Sequence, residues 1–287
     1  MAVVKAEPII EAKKIYYSYA GEGEEFSPAL SGVDLKISQG EYLALLGANG
    51  SGKTTLLKLL NALLIPSQGE VLVKGISTVE GEQLELVRQT CGMIFQNPDN
   101  QIVATTVEED IAFGLENLAL PPAEIRRRVD NVASRLGLTH LLQHPPHRLS
   151  GGEKQRTAIA GILAMQPACI LMDEPTAMLD PAGRLEVLKT VKDLNKKELL
   201  AIVHVTHSPA EAAEADRIIV LELGRIVADG KPEEILTNLK LLHKLGLEGT
   251  VAAELADLLR QEGLNLPAAI MSNRELVESL CSSEQIS

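Results

Sequence analysis

EYLALLGANGSGKTTLLKLLNALL, residues 41–64, reads as a short apolar strand, a glycine-rich loop and a helix, in that order. The run 41–46 predicts a buried strand, and 53–64 predicts a helix that stops before Pro66. Between them Gly47-Ala48-Asn49-Gly50-Ser51-Gly52-Lys53-Thr54 fits G-x-x-x-x-G-K-[ST], the phosphate-binding loop. Its glycines let backbone N–H groups turn toward phosphate oxygens, and the helix that follows adds the positive end of its dipole. In that arrangement Lys53 reaches the β- and γ-phosphates and the Thr54 hydroxyl ligates Mg²⁺. A buried α/β unit that binds a nucleotide is the expectation.

Two further motifs lie downstream. Cys169-Ile170-Leu171-Met172-Asp173-Glu174 is an apolar strand that delivers two carboxylates at its C-terminal end, where α/β sheets hold ligands. Adjacent strand residues point to opposite faces. Asp173 can therefore face Mg²⁺ through water while Glu174 approaches the γ-phosphate, a place suited to a general base that polarises water. Leu149-Ser150-Gly151-Gly152-Glu153-Lys154-Gln155-Arg156 starts a helix that Ser150 caps, a second anion site at a helix N-terminus. Ser150 followed by Glu153 is equally an ordinary capping box, and spacing alone does not choose between the two.

Further strands are predicted at 69–74, 91–95, 168–172, 199–205 and 217–222, mostly as continuous apolar runs that suit strands covered on both faces. The segment 107–166 has no comparable strand. Its helical pieces, 107–119, 123–136 and 151–165, are separated by Pro121-Pro122 and Pro145-Pro146 and read as an insertion between two strands. After Gly230-Lys231-Pro232 come amphipathic helices at 233–246, 250–262 and 273–281, a tail too short for a robust independent domain.

Composition narrows the function. The 287 residues carry 27 Lys+Arg against 39 Asp+Glu, a net charge of −12, which argues against a non-specific DNA binder. With no Trp, 4 Tyr and 3 Phe, a base-stacking platform for single strands is excluded as well. The best candidate for a membrane span, 159–172, is broken by Gln166-Pro167 and falls short of the roughly 20 apolar residues needed. MAVVKAEPII has no signal-peptide core, and Cys91, Cys169 and Cys281 form no CxxC pair, so a soluble protein in a reducing compartment is expected. His144 and His147 lack further metal ligands, Arg126-Arg127-Arg128 reads as a solvated helix face, Cys169 as a small buried apolar residue and His204 as a satisfied histidine.

LSGGEKQR resembles the signature motif of ABC-type ATPases, and the other elements stand in that family's order. The phosphate loop is similar to its Walker A motif and 169–174 to its Walker B motif. Gln96 resembles the Q-loop glutamine that contacts Mg²⁺ and senses a transmembrane partner. Met178-Leu179-Asp180 resembles the D-loop, His207 in Val205-Thr206-His207 the switch histidine, and Tyr19 the aromatic that stacks on adenine. The likeness covers roughly residues 8–230. One departure is Glu153, where the family most often has Gln. The resemblance implies a P-loop NTPase fold in three parts. A nucleotide-binding core with an N-terminal β-rich part would span 1–97 and 167–230. A helical subdomain would span 98–166, and a C-terminal helical region 231–287.

It also implies the site. ATP would be held by Tyr19, Gly47, Asn49, Gly50, Ser51, Gly52, Lys53, Thr54, Thr55 and Asp180, with Ser150, Gly151 and Gly152 supplied in trans by a second ATPase subunit. Mg²⁺ would lie at Thr54, Gln96 and Asp173, the last through water. Glu174, His207 and Gln96 would be catalytic. Phe95-Gln96-Asn97-Pro98-Asp99-Asn100-Gln101, the run from Thr106 to Gly114, and Met178 to Arg184 resemble energy-coupling factor transporter ATPases. These are subunits of importers for vitamins or for cobalt and nickel ions. Such a subunit would sit peripherally on the cytoplasmic face of the membrane, as a homodimer or heterodimer. It would act on a transmembrane scaffold and a small substrate-binding membrane subunit, with no nucleic acid. Leu239, Leu242 and Leu245 would then pack on their own domain or form a dimer seam. The competing reading is a soluble ABC-type ATPase acting on ribosomes or nucleic acid. The single cassette, the absence of a heptad stretch and the acidity weigh against it.

Overall fold

The computed structural model describes residues 8–20, 26–79 and 81–283. Its centre is a six-stranded sheet in the order β10-β9-β3-β8-β7-β6. These strands are β3 (Tyr42–Leu46), β6 (Cys91–Ile94), β7 (Cys169–Asp173), β8 (Ala201–Val205), β9 (Arg217–Glu222) and β10 (Arg225–Gly230). All neighbours are parallel except β10 with β9. Alternation along each strand feeds two cores. Ala44, Leu46, Ile170, Met172 and Ile202 face one side, whereas Leu43, Leu45, Leu171, Val203 and Val205 face the other. Burial on both faces is why these strands read as unbroken apolar runs.

The second face is covered by α1 (Lys53–Leu60) and by an antiparallel sheet in the order β2-β1-β4-β5. Its strands are β1 (Ile10–Ala20), β2 (Phe26–Ile37), β4 (Gln68–Val73) and β5 (Ile76–Ser77), and α2 (Leu84–Thr90) leads into β6. The first face is covered by helices α3 (Val107–Asn117), α4 (Pro122–Arg135), α5 (Gly151–Ala164) and α6 (Pro181–Glu198). Among the described residues no strand lies between β6 and β7, as expected for the insertion. Helix α7 (Pro209–Ala212) precedes β9. The tail holds α8 (Pro232–Leu236), α9 (Leu239–Lys244), α10 (Val251–Gln261) and α11 (Asn273–Ser283).

Several boundaries differ from the sequence reading. Helix α1 stops at Leu60, not at residue 64, because Ala62 turns left-handed at φ +56° and Leu63 N–H bonds back to Lys58 O at 2.8 Å. The expected helix 233–246 is two helices, since Asn238 accepts from Leu241 N–H and starts α9 afresh. Leu239, Leu242 and Leu245 are buried in the same core as β3 and β7, so they pack on their own domain. The exposed apolar residues of α10 are Val251, Leu255 and Leu258 instead. Arg126 and Arg127 do sit on a solvated face, but Arg128 turns inward, bonding Glu124 and Ala164 O.

Candidate functional site

Because β3, β8, β7 and β6 are adjacent and parallel, their carboxyl ends open on one edge of the sheet. That edge gathers the loop 47–52 after β3, Asp173 and Glu174 at the end of β7, Thr206 and His207 after β8, and Gln96 just past β6. Segments far apart in the chain thus meet where open α/β sheets bind ligands.

Gly52 joins the loop to α1 at φ +105°, and a Cβ there would fall 2.5 Å from the Ala29 carbonyl oxygen, so no larger residue fits. Lys53 is buried and its ammonium donates to the carbonyls of Gly47 at 2.7 Å and Ala48 at 2.9 Å. Burial pulls the Lys53 pKa below its ordinary value, opposed by the charges of Glu174 and Asp173. Ser51 Oγ is buried with no hydrogen-bond partner among the described residues. An orphaned hydroxyl within a glycine-rich turn is a donor left for an anion.

The Thr54 hydroxyl donates to Asp173 Oδ1 at 3.1 Å. Burial raises the Asp173 pKa, the Thr54 hydrogen bond opposes the rise, and the Glu174 charge adds to it. The paired Thr54 and Asp173 oxygens are hard donors of the kind that suits Mg²⁺, which uses few protein ligands and completes its shell with phosphate and water, while Gln96 on the same edge turns its amide nitrogen to Glu174. Among the described residues no group of three or more His, Cys, Asp or Glu side chains could hold a metal, His144 and His147 included.

Glu174 stands at the centre. One carboxylate oxygen lies 2.6 Å from His207 Nε2 and the other accepts from Gln96 Nε2 at 2.9 Å. Its backbone is left-handed, φ +48°, and its N–H bonds to Val205 O at 3.0 Å. That kink turns the side chain off the end of β7 into the cleft. The constellation holds a carboxylate between an imidazole and an amide, beside a lysine and a hydroxyl–carboxylate pair. It is equipped to orient water against a phosphate.

The remaining sequence-derived residues fall in three places. Tyr19 ends β1 with its hydroxyl 3.2 Å from Thr55 Oγ1 and its ring edge-on to Tyr17, half-exposed beside α1. Ser150 caps α5 in a reciprocal box with Glu153, accepting its N–H at 3.3 Å and returning a bond to Oε2 at 2.8 Å. The capping reading is therefore realised, and Glu153, the departure from the resembling motif, is given a structural partner. The Glu153 pKa is lowered chiefly by the Ser150 backbone N–H. Asp180 caps α6 by accepting Gly183 N–H at 2.8 Å. Gly152 and Gly183 meet backbone to backbone, a Cβ on Gly152 falling 3.1 Å from Gly183 Cα, so the first turns of α5 and α6 lock together.

Sequence reasoning missed a buried group behind this edge. Glu211 on α7 is 4% exposed and accepts from Thr176 Oγ1 at 2.8 Å and Thr206 Oγ1 at 2.6 Å. His204, wholly buried, bonds Tyr42 through Nδ1 at 2.9 Å, and its Nε2 has no hydrogen bond among the described residues. Burial pulls its pKa down to about 4. The one signal was Ser208 three residues before Glu211, which reads only as a capping pattern.

Residues 30–177 match the family described as ABC transporter. The chain is 49% identical to the energy-coupling factor transporter ATP-binding protein EcfA1 of Caldanaerobacter subterraneus subsp. tengcongensis, over 95% of this chain and 99% of that one. Its fold matches a solved cbiO1 from Clostridium perfringens, described as part of the ABC transporter complex cbiONQ. That match has a TM-score of 0.75 at 35% identity, over 88% of this chain and 99% of the other. A dimeric ATP-binding cassette solved in a post-hydrolysis state with ADP and Pi matches at TM-score 0.70 and 33% identity, over 78% of this chain and 98% of the other.

Proposed function

The chain belongs to the ABC transporter family, and from that premise we propose that it is the ATP-hydrolysing subunit of an energy-coupling factor importer. The observation that carries the reading is the convergence of Lys53, Thr54, Gln96, Asp173, Glu174 and His207 on one edge of the sheet. The loop 47–54, with Thr55 and Tyr19 beside it, holds ATP. Thr54, Asp173 and Gln96 hold Mg²⁺, which when bound screens phosphate charge. Glu174 takes the proton from the attacking water. His207 fixes one carboxylate oxygen and Gln96 the other, so the base keeps a single orientation.

The helix start at Ser150, Gly151 and Gly152 serves the ATP of a second ATPase subunit, either another copy or a related chain. Asp180, tied to that turn through the Gly152–Gly183 contact, lies at the same seam. Closing on ATP and opening after hydrolysis drive a membrane scaffold and its small substrate-binding partner. The three-part division of the chain follows: core, helical subdomain at 98–166 and C-terminal helices from 231. A cavity of about 250 Å³ beside Gln96, lined by Phe95, Val103, Phe113, Ile162 and Met165, supports membrane-subunit docking on the helical part. Val103 and Phe113 are exposed there. No helix among the described residues is long and apolar enough to cross a membrane. As the partner of membrane subunits it attaches peripherally, at the cytoplasmic face.

The test is a tagged pull-down from gently solubilised native membranes, read by mass spectrometry. Recovery of a multi-span scaffold with a small integral membrane protein supports the importer, and a second ATPase chain decides between homodimer and heterodimer. Recovery of ribosomal or other soluble partners alone overturns the transport reading while leaving the nucleotide chemistry in place.

A further inference from the structure

The buried Glu211 carboxylate joins the two loops that carry the Glu174–His207 pair. Thr206 immediately precedes His207, and Thr176 follows Glu174 by two residues; both donate to Glu211, one to each oxygen. The same Thr206 hydroxyl accepts from Ser208 N–H at 3.0 Å, closing the turn that bears His207. Proton by proton, the chain runs from Ser208 N–H to Thr206 Oγ1 and from Thr206 O–H to Glu211. With its proton committed to Glu211, the Thr206 oxygen keeps its lone pairs for Ser208. Orientation of the His207 turn therefore depends on a group outside the cleft.

Two longer contacts also face that carboxylate. The Arg184 guanidinium, from the first turn of α6 below Asp180, lies 3.6 Å from Glu211 Oε1, and His204 Nε2 lies 3.5 Å from Oε2. Thr176, Thr206 and Glu211 are each under 5% exposed, so these bonds are made between largely desolvated groups. A cavity of about 310 Å³ runs between Glu174, His207, Arg184 and Glu211, leaving the His207 ring room to swing once its turn is released.

We infer that Glu211 is a positioning residue for hydrolysis: it holds His207 against Glu174 by bracing Thr206 and Thr176. The inference rests on the ATPase reading above and adds a residue that touches neither nucleotide nor water. Misplacing a catalytic group by an ångström can cost on the order of 10²-fold. Glu211→Ala is therefore expected to lower kcat for ATP by about 10- to 100-fold, with KM for ATP within about threefold of wild type.

The experiment is a double-mutant cycle on the full chain in its assembled complex, with phosphate release as the readout. In a His207→Ala background Glu211→Ala is expected to add less than about threefold, since a residue acting through His207 has nothing left to position. A multiplicative loss in that background overturns the proposal. So does wild-type turnover in Glu211→Ala when His207→Ala is slow, and this leaves the ATPase reading intact. Wild-type turnover in His207→Ala overturns the proposal together with the role of His207, whereas the ATPase reading itself falls only if the unsubstituted complex releases no phosphate. If Glu211→Ala fails to fold, Thr206→Val removes the same link at constant volume and carries the cycle with the same outcomes. Glu211→Gln keeps one acceptor for Thr206, and Thr176 can reverse its hydroxyl, so it is expected to recover most of the lost rate; a loss equal to that of Ala counts against the bracing role.

Discussion

Replacing Glu174 by Gln removes a base and little else, and the geometry says why. In the native site both carboxylate oxygens face donors, His207 Nε2 at 2.6 Å and Gln96 Nε2 at 2.9 Å. The amide introduced by Glu174→Gln would offer one oxygen and one NH₂. If its oxygen keeps the Gln96 Nε2 donor, its NH₂ meets His207 Nε2, which can accept once the imidazole proton moves to Nδ1. Both contacts then survive, only the one to His207 with donor and acceptor exchanged, and Lys53 and the loop 47–52 are untouched. Stability should move by less than about 1 kcal/mol, because no buried group is left unpaired. Turnover should fall by about 10²–10⁴-fold, equivalent to about 3–5 kcal/mol of barrier, the range for losing a general base. Phosphate release from the assembled complex measures the rate, and binding of a fluorescent ATP analogue measures the affinity. Turnover within about threefold of wild type would refute the role of Glu174. Loss of nucleotide binding would refute the claim that both contacts survive.

Three other outcomes are open to direct measurement. Lys53→Met removes the ammonium that bridges Gly47 O and Ala48 O; ATP affinity should drop at least about 10-fold, since hydrogen bonds to charged groups are worth about 1.5–3 kcal/mol, and unchanged affinity by titration would contradict it. In Gly92→Ala the new Cβ falls 2.1 Å from Ile162 Cγ2, so denaturant unfolding should register a loss of about 1–3 kcal/mol, partly recovered by adding Ile162→Ala, which removes that atom. His204 is held near pKa 4 when folded against 6.5 when free; the unfolded chain binds its proton first, so the stability this histidine contributes is full above pH 6.5 and is lost as pH falls toward 4. The loss approaches roughly 3 kcal/mol, and His204→Asn should flatten that part of the stability–pH curve.

What could be read beforehand follows from how each feature is built. The strands of the parallel sheet are covered on both faces, so five buried residues in a row announce β3, β7 and β8. β10 sits at the sheet edge, with no residue fully buried, and offers no apolar run to notice. β1 blurs its own alternation: its register slips between Ala12 and Ile15, where Lys14 turns to φ +46°. Helix α6 was visible in principle, since Asp180 and Pro181 start it and Val187, Val191 and Leu194 recur on one face. At the site, residues grouped in contiguous motifs were legible because each motif carries its own spacing. The Glu211 group was not. Thr176, Arg184 and Thr206 come from three separate segments, and only the tertiary fold brings them to one carboxylate.

Glu174 holds a backbone conformation that costs an ordinary L-residue about 1–2 kcal/mol and costs glycine almost nothing. Selection for thermal tolerance alone would therefore drift this position toward glycine or asparagine, yielding a sturdier cassette that no longer turns over. Variants recovered from a heat screen without an activity filter should accumulate there, and sequencing them would show where endurance and work compete in this molecule.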